Sequence, residues 1–272
     1  CTATLAAGAN CDIEIEFGPS STGTHNDTIN ISYNDGVSVQ SSTRDVTGVG
    51  VNPANLTITD SDPYNYGSVA TGASATRVFT ITNAGGFQAS AMSEVGLAAP
   101  YAFTGGSYPG TLGTCAATLA AAASCDIEVA FSPVGTGVAV DTIEIQYNNG
   151  TSVVSSTRDL TGTGVAPATI TITETDPYDF GNVTQNASTT YTFTLNNTGA
   201  VSATAMGGSG LLAPWSFAGG SYPGTAGTCG VTLAASGSCT IVVQFAPTAL
   251  GVSNYTIDVN YNDGASAQTA SR

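Results

Sequence analysis

Six cysteines are the residues of this sequence most clearly arranged for chemistry, because they form three pairs with the same spacing. The cysteines of a pair are 10 residues apart, and successive pairs begin 114 residues apart. No histidine accompanies a pair, and the spacing is not that of a zinc knuckle, which disfavours metal binding. In a low-charge chain without lysine, the pattern predicts disulfides formed in an oxidising compartment. The predicted bridges are Cys1–Cys11, Cys115–Cys125 and Cys229–Cys239.

Two acidic clusters could bind a cation. Asp60 and Asp62 stand in the sequence Asp-Ser-Asp-Pro, and Glu174 and Asp176 stand in Glu-Thr-Asp-Pro. Each cluster comes shortly after a candidate linker, where calcium could join consecutive domains through carboxylate and carbonyl oxygens. The alternative is that Asp-Pro opens a turn and the other acid is solvated. Two or three carboxylates supply only part of the six to eight oxygens that calcium takes.

Four aromatic side chains could bind sugars if they are exposed in loops. Two of them follow a proline, and two lie in Ser-Tyr-Pro-Gly sequences, so that their rings could stack on a pyranose. Packing in the core or within a loop is the competing interpretation. The residues are Tyr101, Trp215, Tyr108 and Tyr222.

Composition excludes several classes of function. The net charge is −15, and the basic side chains are four arginines, whereas nucleic-acid binding needs cations that displace counterions from phosphates. The same charge opposes binding to anionic membranes, and no apolar run is long enough for direct membrane insertion. His25 is the only histidine, and Ala139 and Ser253 occupy its repeat positions. No serine or threonine has a base to activate it, so the sequence does not predict an enzyme or a resident cofactor other than calcium.

The elements that position these residues recur with a period of 114. Residues 56–158 and 170–272 are identical at 52 of 103 aligned positions, which indicates a tandem array. We predict a first unit at 1–50, a complete middle unit at 56–164 and a nearly complete last unit at 170–272. The linkers are 51–55 and 165–169, and their prolines favour domains held end to end.

The fold class predicted for each unit is all-β, an antiparallel β-sandwich of immunoglobulin type. Residues 126–131 and 142–147 alternate apolar and polar side chains with period two. Asn148-Asn149-Gly150 follows the second of these strands and is typical of a tight hairpin turn. Further strands are predicted at 56–59, 77–82, 101–104 and 152–160. About seven short strands in 114 residues fit this architecture.

Three motifs resemble those of a known family. A Tyr-Gly-Ser-Val or Phe-Gly-Asn-Val segment precedes Phe-Thr-Ile-Thr-Asn-Ala-Gly (79–85) or Phe-Thr-Leu-Asn-Asn-Thr-Gly (193–199). A Gly-Thr-Cys…Ser-Cys segment ending in Phe-x-Pro follows at 113–133 and 227–247. Together they resemble the repeats of bacterial choice-of-anchor D surface proteins, which are similar to ASH/Hydin immunoglobulin-like domains. The resemblance covers the whole chain and implies an exported bacterial protein. Eukaryotic ASH proteins are cytoplasmic and usually lack the cysteine pair, which disfavours a ciliary or centrosomal role.

The first unit presents a specific expectation, because residues 1–50 match only 115–164. Asp12, Glu14 and Glu16 alternate with apolar residues along a predicted strand and form its solvated face. The unit keeps only about three predicted strands, and a sheet of this size should not fold stably alone. Its missing half either precedes Cys1 in the natural chain or comes from another subunit. The last unit lacks only the counterpart of 159–164, so it has no spare half to donate. Exchange of strands between identical chains therefore cannot complete the first unit. We expect a window on a longer repetitive protein. The exposed apolar side chains of this unit are predicted to be Ile13, Ile15, Phe17, Ile29, Ile31 and Tyr33.

The sequence therefore predicts a structural segment of an extracellular or cell-surface protein. It would act as a stalk, as the body of a fibre or filament, or as the shaft of an adhesin. Its partners would be neighbouring repeats and other copies in a filament. The alternative is a module that binds a host or cell-surface glycan or protein through the loops of each repeat.

Overall fold

A computed structural model describes all of residues 1–272, and it is almost entirely β-structure. One 3₁₀ turn lies at Thr104–Gly106. None of the helical segments has the length and apolar character that a membrane-crossing helix requires. The strands of the first and middle units are β1 (Gly23–Asn34), β2 (Val39–Gly50), β3 (Leu56–Ile58), β4 (Tyr64–Ala70), β5 (Ala75–Asn83), β6 (Ser90–Glu94), β7 (Tyr101–Phe103), β8 (Ser124–Phe131), β9 (Gly137–Asn148) and β10 (Val153–Val165). Those of the last unit are β11 (Ile170–Ile172), β12 (Thr189–Asn197), β13 (Thr204–Gly208), β14 (Trp215–Phe217), β15 (Ser238–Phe245), β16 (Asp258–Asn262) and β17 (Ala267–Ser271).

The middle unit is a sandwich of two four-stranded sheets. One sheet has the order β3-β5-β8-β7, and the other has the order β4-β10-β9-β6. All pairings are antiparallel except that of β4 with β10, which is parallel. The alternating apolar residues face inward and form one core cluster of 20 buried residues drawn from both sheets. Phe79 and Ile127 from one sheet meet Ile143 and Leu160 from the other.

The last unit repeats this arrangement with one difference. Its first sheet, β11-β12-β15-β14, has counterparts for all four strands of the middle unit, and its core cluster contains 17 buried residues. Its second sheet has three strands, β13-β16-β17. Residues 178–184, the counterpart of β4, form no strand. In the middle unit, β4 pairs with the segment Leu160–Val165 of β10.

The first unit contains a single two-stranded sheet, β1-β2, with continuous register from Gly23↔Gly50 to Asn34↔Val39. Residues 12–17 form no strand, so the strand predicted there is wrong. The counterpart β8 pairs with β5 and β7, and residues 12–17 have no such partners. Ile13, Ile15 and Phe17 are 50–57% exposed.

All six strands predicted for the middle unit are present. The two strands of the predicted hairpin, 142–147 and 152–160, correspond to β9 and β10, which are joined by the Asn-Asn-Gly turn as expected. The sequence analysis missed β4 and β6. Both are edge strands whose residues alternate only partly between buried and exposed positions.

Candidate functional site

Every cysteine lies in one of the three predicted disulfides, and the chain has no free cysteine. The Cα atoms of each pair are 4.8–4.9 Å apart, a normal separation for a bridge. Cys115 and Cys125 are both buried. Their bridge ties the segment that precedes β8 to the first residues of β8 itself. The structure contains all three predicted bridges, and those of the middle and last units hold a short loop against the core.

The acidic clusters lie against arginines. In the middle unit Asp60 forms an ion pair with Arg77, with 2.7 Å between Oδ1 and Nη2. This carboxylate, as hydrogen-bond acceptor and as charge, raises the pKa of Arg77. Asp62 lies 3.4 Å from Nη1 of Arg158, and its Oδ1 also accepts a hydrogen bond of 3.0 Å from the backbone N–H of Asp159.

Arg158 is the more deeply placed of the two arginines, with 13% of its side chain exposed. Its second terminal nitrogen, Nη2, donates to the backbone carbonyl of Ile58 in β3. One guanidinium on β10 therefore holds both β3 and the connection between β3 and β4. The last unit repeats this arrangement, since Arg272 donates to Ile172 and lies 3.8 Å from Asp176.

The four acids predicted as calcium ligands are not brought together. Glu174 accepts a hydrogen bond of 2.8 Å from the backbone N–H of Thr194, and it lacks an arginine partner because Tyr191 replaces Arg77 at that repeat position. The chain contains no group of three or more histidine, cysteine or acidic side chains arranged to hold a metal ion. Calcium binding at Asp60 and Asp62 would require their arginine pairs to open, and it stays a prediction.

A buried asparagine, which the sequence analysis missed, joins each linker to the unit that follows it. Asn83 is fully buried, and its Oδ1 accepts hydrogen bonds from the backbone N–H groups of Asn55 and Gly85 at 3.1 and 3.0 Å. Its Nδ2 donates to the carbonyls of Phe87, Leu119 and Ala120 at 2.8–3.2 Å. The counterpart Asn197 makes the same five bonds. A signal existed in the sequence, because Asn-x-Gly recurs at both positions, with the asparagine at the end of a strand.

The linker 165–169 is hydrogen-bonded along almost its whole length. The carbonyl of Val165 accepts from Thr71 of the middle unit at 2.9 Å, and Ala168 donates to Asp263 of the last unit at 2.8 Å. The carbonyls of Ala166 and Thr169 accept from Ala200 and Thr198 at 3.1 and 2.8 Å. The linker is thus tied to both units that it joins.

Two glycines allow the linkers to lie this close to the units that follow them. A Cβ atom on Gly199 would stand 2.0 Å from the carbonyl oxygen of Pro167, and one on Gly85 would stand 2.1 Å from that of Pro53. Any side chain at these positions would displace the linker. The first linker is held similarly, because Ala54 donates to the carbonyl of Asn149 at 2.9 Å.

The four aromatic residues predicted to bind sugars occupy different environments. Tyr101 is 1% exposed, its ring stacks on Phe131 with centroids 4.9 Å apart, and its hydroxyl donates to Ala139. Tyr101 therefore fills the core, as the competing interpretation of core packing expects, and its ring is not exposed to a ligand. Burial raises the pKa of Tyr101 to about 12 and, again by burial, that of Tyr108 to about 12.

The other three aromatic residues are partly buried. Tyr108 and Tyr222 each pack edge-on against a phenylalanine of the neighbouring strand, with centroids 5.6 Å apart. Trp215 stacks on Phe245 at 4.3 Å. Its indole N–H and the hydroxyls of Tyr108 and Tyr222 have no hydrogen-bond partner. These rings are loop and strand packing elements, and each retains an unused donor.

Trp215 also lines a groove in the last unit with a volume of about 780 Å³. The groove runs between residues 176–185 and 247–257, and its floor includes the core residues Phe193, Val243 and Ile257. The counterparts of these floor residues in the middle unit are covered by Leu160 of β10, which is 1% exposed. The groove therefore has the position of the final strand segment of a complete unit.

Comparisons with known proteins agree with this architecture. Residues 171–271 match the family model described as HYDIN/CFA65/VesB-like, Ig-like domain. No curated protein sequence matches the chain.

Among solved structures, the VesB protease of Vibrio cholerae is 17% identical, with a TM-score of 0.33, over 41% of this chain and 32% of that protein. The chain thus spans about a third of VesB. An ASH/PapD-like domain of human CEP192 is 12% identical, with a TM-score of 0.32, over 43% of this chain and 87% of that one. Titin domains I67–I69 are 13% identical, with a TM-score of 0.33, over 82% and 65% of the two chains.

The family model covers the strands from Ile170–Ile172 to Ala267–Ser271 almost completely. The disulfide, the buried Asn197 and the Arg272 contacts all lie within this region or at its edge. The last unit is therefore an immunoglobulin-like domain of an all-β chain.

Proposed function

We propose that this chain is a structural segment of a bacterial extracellular or cell-surface protein. Tandem 114-residue immunoglobulin-like units would be held end to end as a stalk, a fibre or filament body, or the shaft of an adhesin. The resemblance to choice-of-anchor D repeats supports this proposal, and so do three disulfides formed in an oxidising compartment.

The hydrogen bonding of the linkers is the observation that carries the proposal. Residues 165, 166, 168 and 169 are each bonded through the backbone to one of the adjoining units. A flexible tether would instead leave its backbone groups to water. A segment whose connections are fixed in this way transmits position and force along its length, as a stalk requires.

The proposed role is structural rather than catalytic. The lone His25 lies in the first unit, where its Nε2 atom is 3.0 Å from the carbonyl oxygen of Ser21 and its ring is 5.9 Å from that of Phe17. The ionic side chains described above satisfy one another or the backbone.

Solution X-ray scattering on the 272-residue chain tests the stalk. We expect the data to fit one elongated arrangement of the middle and last units. The matched control replaces 165–169 with a Gly-Ser sequence of the same length, which should broaden the distribution of angles between the two units. An equally broad distribution for the unmodified chain would overturn the proposal.

A glycan- or protein-binding role is a second candidate, favoured by one observation. Trp215 lines the groove of the last unit with its indole N–H unpaired. A glycan array and a pull-down with the chain test this role. Specific binding that is lost in Trp215→Ala and weakened in Trp215→Phe, which keeps an aromatic ring but removes the indole N–H, would support it.

A further inference from the structure

The next inference rests on the proposed stalk, and it concerns which contacts carry tension within a unit. In a stalk under load, the middle unit is pulled through the linker before β3 and through the linker after β10. Its first long strand, β4, pairs in parallel with its last strand, β10. The register runs from Tyr64↔Leu160 to Ala70↔Val165, with one irregularity in between.

Parallel pairing of the first and last strands determines the direction of the load. Tension passes through the short strand β3, which pairs with β5, and reaches β4 at its N-terminal end; it leaves β10 at its C-terminal end. The two strands are therefore pulled in opposite directions along one common axis. Hydrogen bonds loaded in this direction share the force and must break together, whereas bonds at the end of a peeled hairpin break one at a time.

The arginine bridge lies at the start of this loaded pair. Asp62 lies two residues before β4, and Arg158 and Asp159 directly precede the segment of β10 that pairs with β4. The bridge includes the Arg158–Asp62 ion pair at 3.4 Å and the Asp159 N–H bond to Asp62 at 3.0 Å. Arg158 also binds the carbonyl of Ile58 in β3. Sliding of the N-terminal segment along β10 must break all three contacts.

We infer that β4, β10 and the Asp62–Arg158 bridge form a shear lock that lets each complete unit resist tension. This inference assigns the Asp-x-Asp-Pro motif a mechanical role through Asp62. Asp60, two residues earlier, belongs to a different contact, because its partner Arg77 lies on β5. Neither end of β5 is attached to a linker.

The last unit provides an internal comparison. It keeps the bridge in a looser form, with Arg272 and Asp176 3.8 Å apart. Its residues 178–184 do not pair with any strand, so the parallel part of the lock is absent. The inference therefore predicts that the two units of one chain differ in mechanical strength although half of their aligned residues are identical.

Single-molecule force spectroscopy on the oxidised 272-residue chain, held at its two ends, tests the lock. We expect two main unfolding events, of which the stronger belongs to the middle unit. Asp62→Asn should raise the unfolding rate of that event roughly threefold to fivefold at constant force, since it removes the charge of a half-exposed ion pair but keeps an oxygen that can accept from Asp159. Asp60→Asn is the matched control and should leave that rate nearly unchanged, although it breaks the shorter ion pair.

Further variants keep the result interpretable. Asp176→Asn should affect only the weaker event, and its effect assigns that event to the last unit. Urea unfolding of both aspartate variants of the middle unit detects a loss of folding that would mimic a mechanical effect. Equal strength of the two events, or equal effects of Asp60→Asn and Asp62→Asn, would overturn the lock. If scattering shows a rod and the lock fails, the stalk stands without it. If the strong event is present but the linkers are flexible, the lock stands and the stalk role fails.

Discussion

Replacement of Asn83 by alanine should destabilise the middle unit more than most single substitutions. The side chain is fully buried and makes five hydrogen bonds to backbone groups. The carbonyls of Leu119 and Ala120 keep other donors, Ala89 and Ala123, when the amide is removed. The N–H groups of Asn55 and Gly85 and the carbonyl of Phe87 lose the bonds that Asn83 provides.

The magnitude follows from these three groups. A buried polar group left without a partner costs about 1–3 kcal/mol, but Asn55 and Phe87 are exposed residues, so the three groups together lie at the lower end, at about 3–5 kcal/mol. A water molecule entering the space of the missing amide would recover part of this cost. We therefore expect Asn83→Ala to lower the free energy of unfolding by roughly 3–5 kcal/mol.

Urea denaturation followed by circular dichroism measures the effect. The matched control is Asn65→Ala, because the Asn65 side chain bonds a single exposed N–H, that of Gly67. The control should cost less than about 1 kcal/mol. A loss for Asn83→Ala within 1 kcal/mol of the control would refute the reasoning that this asparagine holds the linker and two loops together.

Three further predictions concern the bridges, the tyrosines and the acidic clusters. Non-reducing peptide mapping should find only the three bridges within units, and reduction of Cys115–Cys125 should lower the stability of the middle unit by roughly 3 kcal/mol; free thiols or bridges between units would contradict the pairing. Burial raises the pKa of Tyr101 and Tyr108 from 10.0 to about 12. Their phenols therefore ionise more readily in the unfolded chain, and stability present below pH 10 should fall between pH 10 and about pH 12; ultraviolet titration in which every tyrosine ionises near pH 10 while the fold persists would exclude this. Calcium should leave scattering and thermal unfolding unchanged if the arginine pairs of Asp60 and Asp62 stay closed, and a chelator-sensitive rod would show instead that these acids hold metal.

The sequence predicted those features that depend on local pattern. Cysteine spacing gave the bridges, and Asn-Asn-Gly with flanking alternation gave the β9–β10 hairpin. It did not predict the partners of polar side chains, because these depend on which strands become neighbours. Asp62 and Arg158 are 96 positions apart in the sequence, and they meet only through the parallel pairing of β4 with β10. Asn83 was missed for the same reason, since its carbonyl partners lie on two separate loops.

The groove of the last unit allows the equivalence of the units to be tested directly. In the middle unit, residues 159–165 (Asp-Leu-Thr-Gly-Thr-Gly-Val) supply the segment that pairs with β4 and covers the core with Leu160. A synthetic peptide of this sequence should bind the 272-residue chain in the groove between 176–185 and 247–257. Trp215, the only tryptophan of the chain, lines this groove and reports binding through its fluorescence.

A variant peptide gives the control for this experiment. A Cβ atom on Gly162 would lie 2.7 Å from the ring of Phe131 in the middle unit, and Phe245 occupies the same repeat position beside Trp215. A peptide with Gly162→Val should therefore fail to bind, because its side chain would meet the ring where the glycine passes closely. We expect a saturable fluorescence change with the native peptide alone, accompanied by a rise in the unfolding temperature of the last unit. A response of equal size to both peptides would mean that the groove binds any extended chain. It would then resemble the β10 position in shape without being specific for the sequence of 159–165.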